Sequence, residues 1–181
     1  MAPNTVTALV LVDPALPAGR STDRTVAGEF LLNITPGVGE ARLRYMHRRL
    51  APEAQVARVI DLCFVDPSSA DPRMLAAMTE LVRTRSAEVS DIDVSFLAAT
   101  RSLMALLARR RAYQATMASV DRPVLLINGT EDRLVPIASA RRAAARNPRW
   151  STEFLAGVGH TPQLEVPERF FDVVTGWLGG L

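Results

Sequence analysis

The chain has 181 residues, enough for one ordinary domain, and 48% of them are hydrophobic, enough for a core. Charge is nearly balanced: 21 basic residues, all arginine, stand against 19 acidic ones for a formal +2, so the pI of about 9.3 reflects a small excess of non-titrating cations. Only 6% of residues are aromatic and the cations are not gathered on one face, which argues against a nucleic-acid partner.

Residues 6–12, a continuous Val/Leu-rich run, predict a strand covered on both faces, broken at its carboxyl end by Asp13-Pro14. The run has no cation before it and does not read as a signal peptide, and no stretch approaches the ~18 apolar residues of a membrane span. A soluble, cytoplasmic protein is expected. From Arg20 to Ser119 the pattern is helical. Val56, Val59, Ile60, Cys63 and Phe64 make one apolar stripe; Met74, Leu75, Met78, Leu81 and Val82 make another. Asp71-Pro72 and Asp91 supply N-terminal cap chemistry for the two later helices. The last long helix, Ile92 to Arg110, is expected to bury Phe96, Leu97, Leu103, Met104 and Leu107, and Arg109-Arg110-Arg111 to close it where cations favour the dipole.

The single cysteine, Cys63, excludes an internal disulfide, fits a reducing compartment and reads as a buried thiol. Of the two histidines, His47 lies in an Arg-rich helical segment and reads as solvent-facing. With one cysteine and no His-x-x-x-His spacing, neither a metal nor a cofactor is expected.

The segment from Arg122 to His160 carries the chemistry. Arg122 to Gly129 reads as a buried strand entering a tight turn, and Asp132 follows three residues later. Pro136 opens a helix over Ile137 to Arg146, which Asn147-Pro148 ends, and a second strand, Trp150 to Leu155, leads into Gly157-Val158-Gly159-His160. A strand–helix–strand unit with a right-handed crossover makes the strands parallel, so both turns emerge at one carboxyl edge, where open α/β sheets bind ligands. An acid after one strand and a histidine after the other then share a rim, as a catalytic pair would. The final helix starts at Pro167 and offers Phe170, Phe171, Val174 and Trp177 or Leu178 to the sheet before Gly179-Gly180 ends it.

Asn128-Gly129-Thr130-Glu131-Asp132 with Pro136 resembles the acid turn of the α/β-hydrolases. Gly157 to Pro162, followed by Glu165-Val166-Pro167-Glu168-Arg169-Phe170, resembles their histidine loop and final helix, and residues 6–14 resemble the strand after their nucleophile-bearing helix. The resemblance implies a partial α/β-hydrolase fold: three parallel strands with flanking helices and an inserted all-helical cap. It divides the chain into residues 1–19 (first strand and turn), 20–119 (cap) and 120–181 (core with acid and histidine loops). It also implies Asp132 and His160 as two members of a Ser-Asp-His triad, with Asp13 a second candidate acid because some hydrolases carry theirs after this strand. An aspartate capping a turn is the plainer account of Asp13.

No serine of the sequence sits in the Gly-x-Ser-x-Gly elbow in which the family places its nucleophile. The expected function is therefore hydrolysis of a small apolar ester-like substrate under the cap by a Ser-Asp-His triad, with the nucleophile supplied from upstream of Met1. The alternative is a truncated, non-catalytic remnant that acts as a module binding an apolar ligand or partner, or that needs a second chain to supply the nucleophile. Without the nucleophile's strand beside it, the first strand presents an apolar edge open to self-association. Met46, Met74, Met78, Met104 and Met117 fit an adaptable lid over an apolar substrate, or simply the cap's own core.

Overall fold

In chain order, β1 (Leu9–Val12) is followed by α1 (Val38–Arg49), α2 (Pro52–Cys63), a 3-10 turn at Pro67–Ser69, α3 (Pro72–Glu88), α4 (Ile92–Ala108) and α5 (Arg110–Ala118). Then come β2 (Val124–Gly129), α6 (Ile137–Arg146), β3 (Ser151–Leu155), the short α7 (Pro162–Glu165) and α8 (Pro167–Gly179). This computed structural model describes residues 5–17, 28, 32–88 and 92–181, without the side chains of residues 47, 48, 86–88, 92 and 93. Asp91 and the His47 side chain, both singled out in the sequence, lie outside the described residues. Among the described residues no helix is long and apolar enough to cross a membrane.

The three strands form one parallel sheet in the order β1-β2-β3. β2 is its middle strand and every residue of it is buried, as an uninterrupted apolar run requires: it has no polar face to turn toward water. Alternation splits its side chains between two cores. Leu126 faces α6, packing with Ala140 and Ala143 and with Leu11, Tyr113, Met117 and Phe154 around them. Leu125 and Ile127 face α8 with Leu155 and Val158, against Val10, Phe170, Val173, Val174 and Trp177. The face of α8 therefore runs through Trp177, while Phe171 and Leu178 are exposed. Positions 170, 173, 174 and 177 keep the i, i+3, i+4, i+7 spacing of a single stripe.

β1 is shorter than the apolar run that predicts it. Val6 is exposed, and all four residues from Leu9 to Val12 are only half-buried. Its two covering helices reach Val10 and Leu11, but the described residues place no strand on its outer side, so full coverage does not occur. Leu9 and Asp13 donate their backbone N–H groups to Pro123 and Ile127 on the β2 side, both at 2.9 Å. By alternation, the N–H groups of Val10 and Val12 point away from the sheet.

The helices between β1 and β2 pack in pairs, α2 with α3 and α1 with α4. Val56, Ile60, Cys63, Phe64 and Ala70 form a buried cluster onto which Met74, Leu75, Met78 and Val82 pack. Met74 and Met78 thus belong to this unit's own core, and Met117 to the core beneath the sheet. Val59 and Leu81 flank their stripes and are exposed, as is Phe96, whereas Leu97 is fully buried. Asp71 caps α3 as its sequence suggests, accepting from Arg73 N–H at 2.6 Å.

The expected helix through Arg110 divides instead. Arg109 leaves helical geometry (φ −82°, ψ 51°) and Arg110 and Arg111 open α5, so the arginines stand at the end of the dipole that disfavours cations. Exposure to water screens that cost. Packing outweighs it: Tyr113 donates its hydroxyl to Ala15 O at 2.6 Å and joins Met117 in the core, which turns α5 toward the sheet.

Candidate active site

β2 ends at Gly129, where the histidine loop crosses over it. A Cβ at Gly129 would overlap the backbone carbonyls of Val158 and Gly159, so only glycine lets the two loops close on each other. Backbone bonds then stitch them: Thr130 N–H to Leu155 O and Glu131 N–H to Val158 O, each at 3.0 Å. The Thr130 hydroxyl accepts from Gly157 N–H at 3.0 Å. With the two turns fixed, the residues after them have a fixed separation.

Asp132 and His160 meet across that gap. Asp132 is 6% exposed. Its Oδ1 accepts from the N–H groups of Leu134 (2.7 Å) and Val135 (2.9 Å), so its side chain is part of the turn that carries it. Oδ2 is thereby aimed at His160 Nδ1, 2.8 Å away. The His160 side chain keeps 24% of its surface exposed. In this geometry Nδ1–H donates to the acid, which places the acceptor lone pair on Nε2.

The helical unit reaches the same place. His160 N–H donates to Cys63 O, the carbonyl at the last residue of α2, at 2.7 Å. Arg133 Nη1 donates to Asp61 O at 2.9 Å, and Leu134 packs on the α2–α3 cluster. Glu165 spans the two units with one carboxyl group, accepting from Val65 N–H at 2.8 Å and Gly159 N–H at 2.7 Å. Sequence reasoning assigned Glu165 no role, and a backbone carbonyl such as Cys63 O carries no sequence signal at all. Replacing Glu165 by Gln turns one acceptor into a donor, so one N–H loses its partner, at about 1–3 kcal/mol. Hydrogen exchange should then accelerate at Val65 or Gly159 by tenfold or more while the amides of α8 keep their protection; unchanged exchange at both sites would count against this bridge.

Cys63 is buried, as its stripe predicts, and burial pushes its thiol up to about 11, with the negative charges of Asp132 and Glu165 adding to the effect. A thiol so protonated is a poor nucleophile at neutral pH. Asp13, the second candidate acid, also arrives here: one oxygen of Asp13, one of Asp132 and a ring nitrogen of His160 lie within 4.8 Å of one another. Its Oδ1 accepts from Gly129 N–H at 2.9 Å. Asp13 thus bonds to the end of β2 and not to its own turn, and it stands close to the pair. Carboxylates and imidazole are also donors a divalent cation takes. Here Nδ1 and both oxygens of Asp132 are engaged in hydrogen bonds, which leaves Asp13 Oδ2 and His160 Nε2 as the uncommitted atoms of the cluster.

The fold agrees with that of several proteins of known structure at low identity. Cfl2 from Burkholderia cenocepacia is 16% identical with a TM-score of 0.70, over 97% of this chain and 58% of that one. Serine hydrolase CCSP0084 from Cycloclasticus zankles is 16% identical with a TM-score of 0.63, over 99% and 57%. Esterase RhEst1 from Rhodococcus sp. ECU1013 is 19% identical with a TM-score of 0.57, over 97% and 57%. The chain spans slightly more than half the length of each. No curated protein sequence matches it significantly. The sequence pattern described as the alpha/beta hydrolase family matches residues 1–173. With this match over most of its length, and a parallel sheet in agreement with it, the chain belongs to the alpha/beta hydrolase family.

Proposed function

We propose that this chain supplies the acid and base of a hydrolase of small apolar esters, acting on a serine carried outside these 181 residues. The supporting observation is the 2.8 Å contact between Asp132 Oδ2 and His160 Nδ1, with Oδ1 anchored by two backbone N–H groups. In this reading Nε2 takes the serine proton as the serine oxygen bonds to the ester carbonyl carbon. The same proton passes to the alcohol as the C–O bond breaks, and water, deprotonated in turn by Nε2, releases the acid. Asp132 holds the ring in the required tautomer and stabilises the imidazolium. In this reading residues 20–119 act as a cap over the rim, apart from Tyr113 and Met117, which pack into the core beneath the sheet. The serine hydrolase and the esterase among the similar folds support an ester substrate, and no cofactor or metal enters the scheme.

The side of β1 on which the described residues place no strand is where the serine-bearing part would dock. A strand pairing parallel to β1 delivers its own carboxyl-end turn to the rim that holds Asp132 and His160. Val10→Pro removes an outward N–H and leaves the bonds to β2 intact. It is expected to abolish docking, or self-association of the isolated chain, as read by sedimentation, at the cost of the Val10 packing against α8. Association that survives the substitution would place docking elsewhere.

The test of the function is a fluorophosphonate probe with a short-chain p-nitrophenyl ester, applied to protein purified from its native cells. The expected result is a labelled serine in a polypeptide that contains, or co-purifies with, this chain, and ester turnover in the same fraction. A species of intact mass near 19.7 kDa with neither label nor turnover would overturn the proposal in favour of a binding module.

A further inference from the structure

Asp13 is the one non-glycine residue with a positive φ among those described, at +39°. A side-chain-bearing residue adopts that conformation only where its surroundings hold it there, and such positions gather at functional sites. Glycine would relieve the strain, but glycine has no carboxyl group, and here the carboxyl group is used. The turn swings it beneath the end of β2, where Oδ1 accepts from Gly129 N–H at 2.9 Å. Oδ2 is buried and has no hydrogen-bond partner. The residue is 5% exposed and shares a 4.8 Å cluster with Asp132 and His160.

The charged groups facing Asp13 come from each element around it: Asp132 from the turn after β2, His160 from the loop after β3, and Glu165 from α7. A second negative charge at Oδ2 would be buried, without a donor, beside a carboxylate that must accept from His160. A proton on Oδ2 turns that repulsion into an attraction toward Asp132 and satisfies the orphaned oxygen. Resting on the reading of Asp132 and His160 as a working pair, we infer that Asp13 is a positioning residue that stands as a neutral carboxylic acid, its Oδ2–H directed at Asp132. Asp132 then carries the only charge of the two. Burial, ahead of the Asp132 charge and against the Gly129 hydrogen bond, pushes Asp13 up to about 8, in agreement with this arrangement.

The experiment is a carboxyl-carbon NMR titration of the full chain labelled at aspartate, with Asp13 and Asp132 assigned through bonds in the unsubstituted protein. The Asp13 carbon is expected to titrate near 8, and the Asp132 carbon to show a small step at the same pH that Asp13→Asn removes. Titration of Asp13 with ordinary carboxylates near ~4 overturns the inference, and so does an Asp132 resonance blind to the Asp13 step. Stability supplies a second readout. The unfolded chain releases this proton near 3.8 and the native chain near 8, so the native state binds more protons between them and wild-type stability declines as pH rises through that window. Asparagine has no such window. Asp13→Asn should therefore gain on the wild type from pH 4 to pH 8 in urea unfolding, and a constant difference would overturn the inference. Neither readout requires turnover, so an absence of hydrolysis would refute the proposed function and leave the state of Asp13 still decided.

Discussion

His160→Ala should lower kcat of the assembled, serine-containing enzyme by about 10⁶, leaving KM within a few-fold, as removal of the base does in a triad that works as one unit. That loss is about 8 kcal/mol of transition-state stabilisation, far more than the ring contributes to folding. The imidazole is partly exposed, and the bond that anchors its segment, His160 N–H to Cys63 O, is made by the backbone and survives the substitution. Asp132→Asn should cost about 10⁴, because an amide at Oδ2 presents an N–H to Nδ1 and favours the wrong tautomer. Asparagine is the informative change there, since alanine would also strip the acceptor from Leu134 and Val135. The measurements are single-turnover ester hydrolysis and the rate of fluorophosphonate labelling. Retention of more than a few per cent of either in His160→Ala would mean that some other group is the base.

Gly129→Ala carries the largest expected effect on the fold. The added methyl would overlap the carbonyl oxygens of Val158 and Gly159, and backbone atoms held in a loop cannot swing aside as a side chain would. The Gly159 side of the loop has no room either, because a Cβ there would meet Cys63 O. The two loops must separate, loosening the bonds from Thr130 and Glu131 and parting Asp132 from His160. Overpacking of this kind costs about 3 kcal/mol, or roughly 6–12 °C in Tm for a chain of this size. Calorimetry measures the shift, and the imidazole ¹⁵N resonances report the loss of the Asp132 contact. A Tm within 2 °C of the wild type would show that the loops are not so closely packed.

The core segment was legible because each of its signals is local. Val124 to Gly129 is apolar without interruption and ends at a glycine, Pro136 and Asn147-Pro148 bracket a helix, and Pro167 starts the last one. Each depends on residues a few positions apart, so propensity and periodicity read it without knowledge of the fold. The break at Arg109 was not legible. No proline or glycine marks it, and its cause is Tyr113 reaching Ala15, 98 residues earlier. The exposure of Phe96 and Val59 was hidden for a related reason: a stripe tells which face is apolar, but how much of it is covered depends on the neighbouring helix.

The sequence alone determined the three strands, their parallel order and the placement of an acid and a histidine at one rim, because strand polarity and right-handed connection leave few alternatives. It also determined that the family's serine elbow is absent from these 181 residues. Tertiary structure decided the rest of the site. Only the packed chain brings Asp13 beneath Gly129 from 116 positions away, and only there do Glu165 and Cys63 O tie the helical unit to the histidine loop. These are contacts between residues distant in sequence, several made by backbone groups that every residue carries alike. No pattern of side chains along the chain encodes them until the sheet and its helices are assembled.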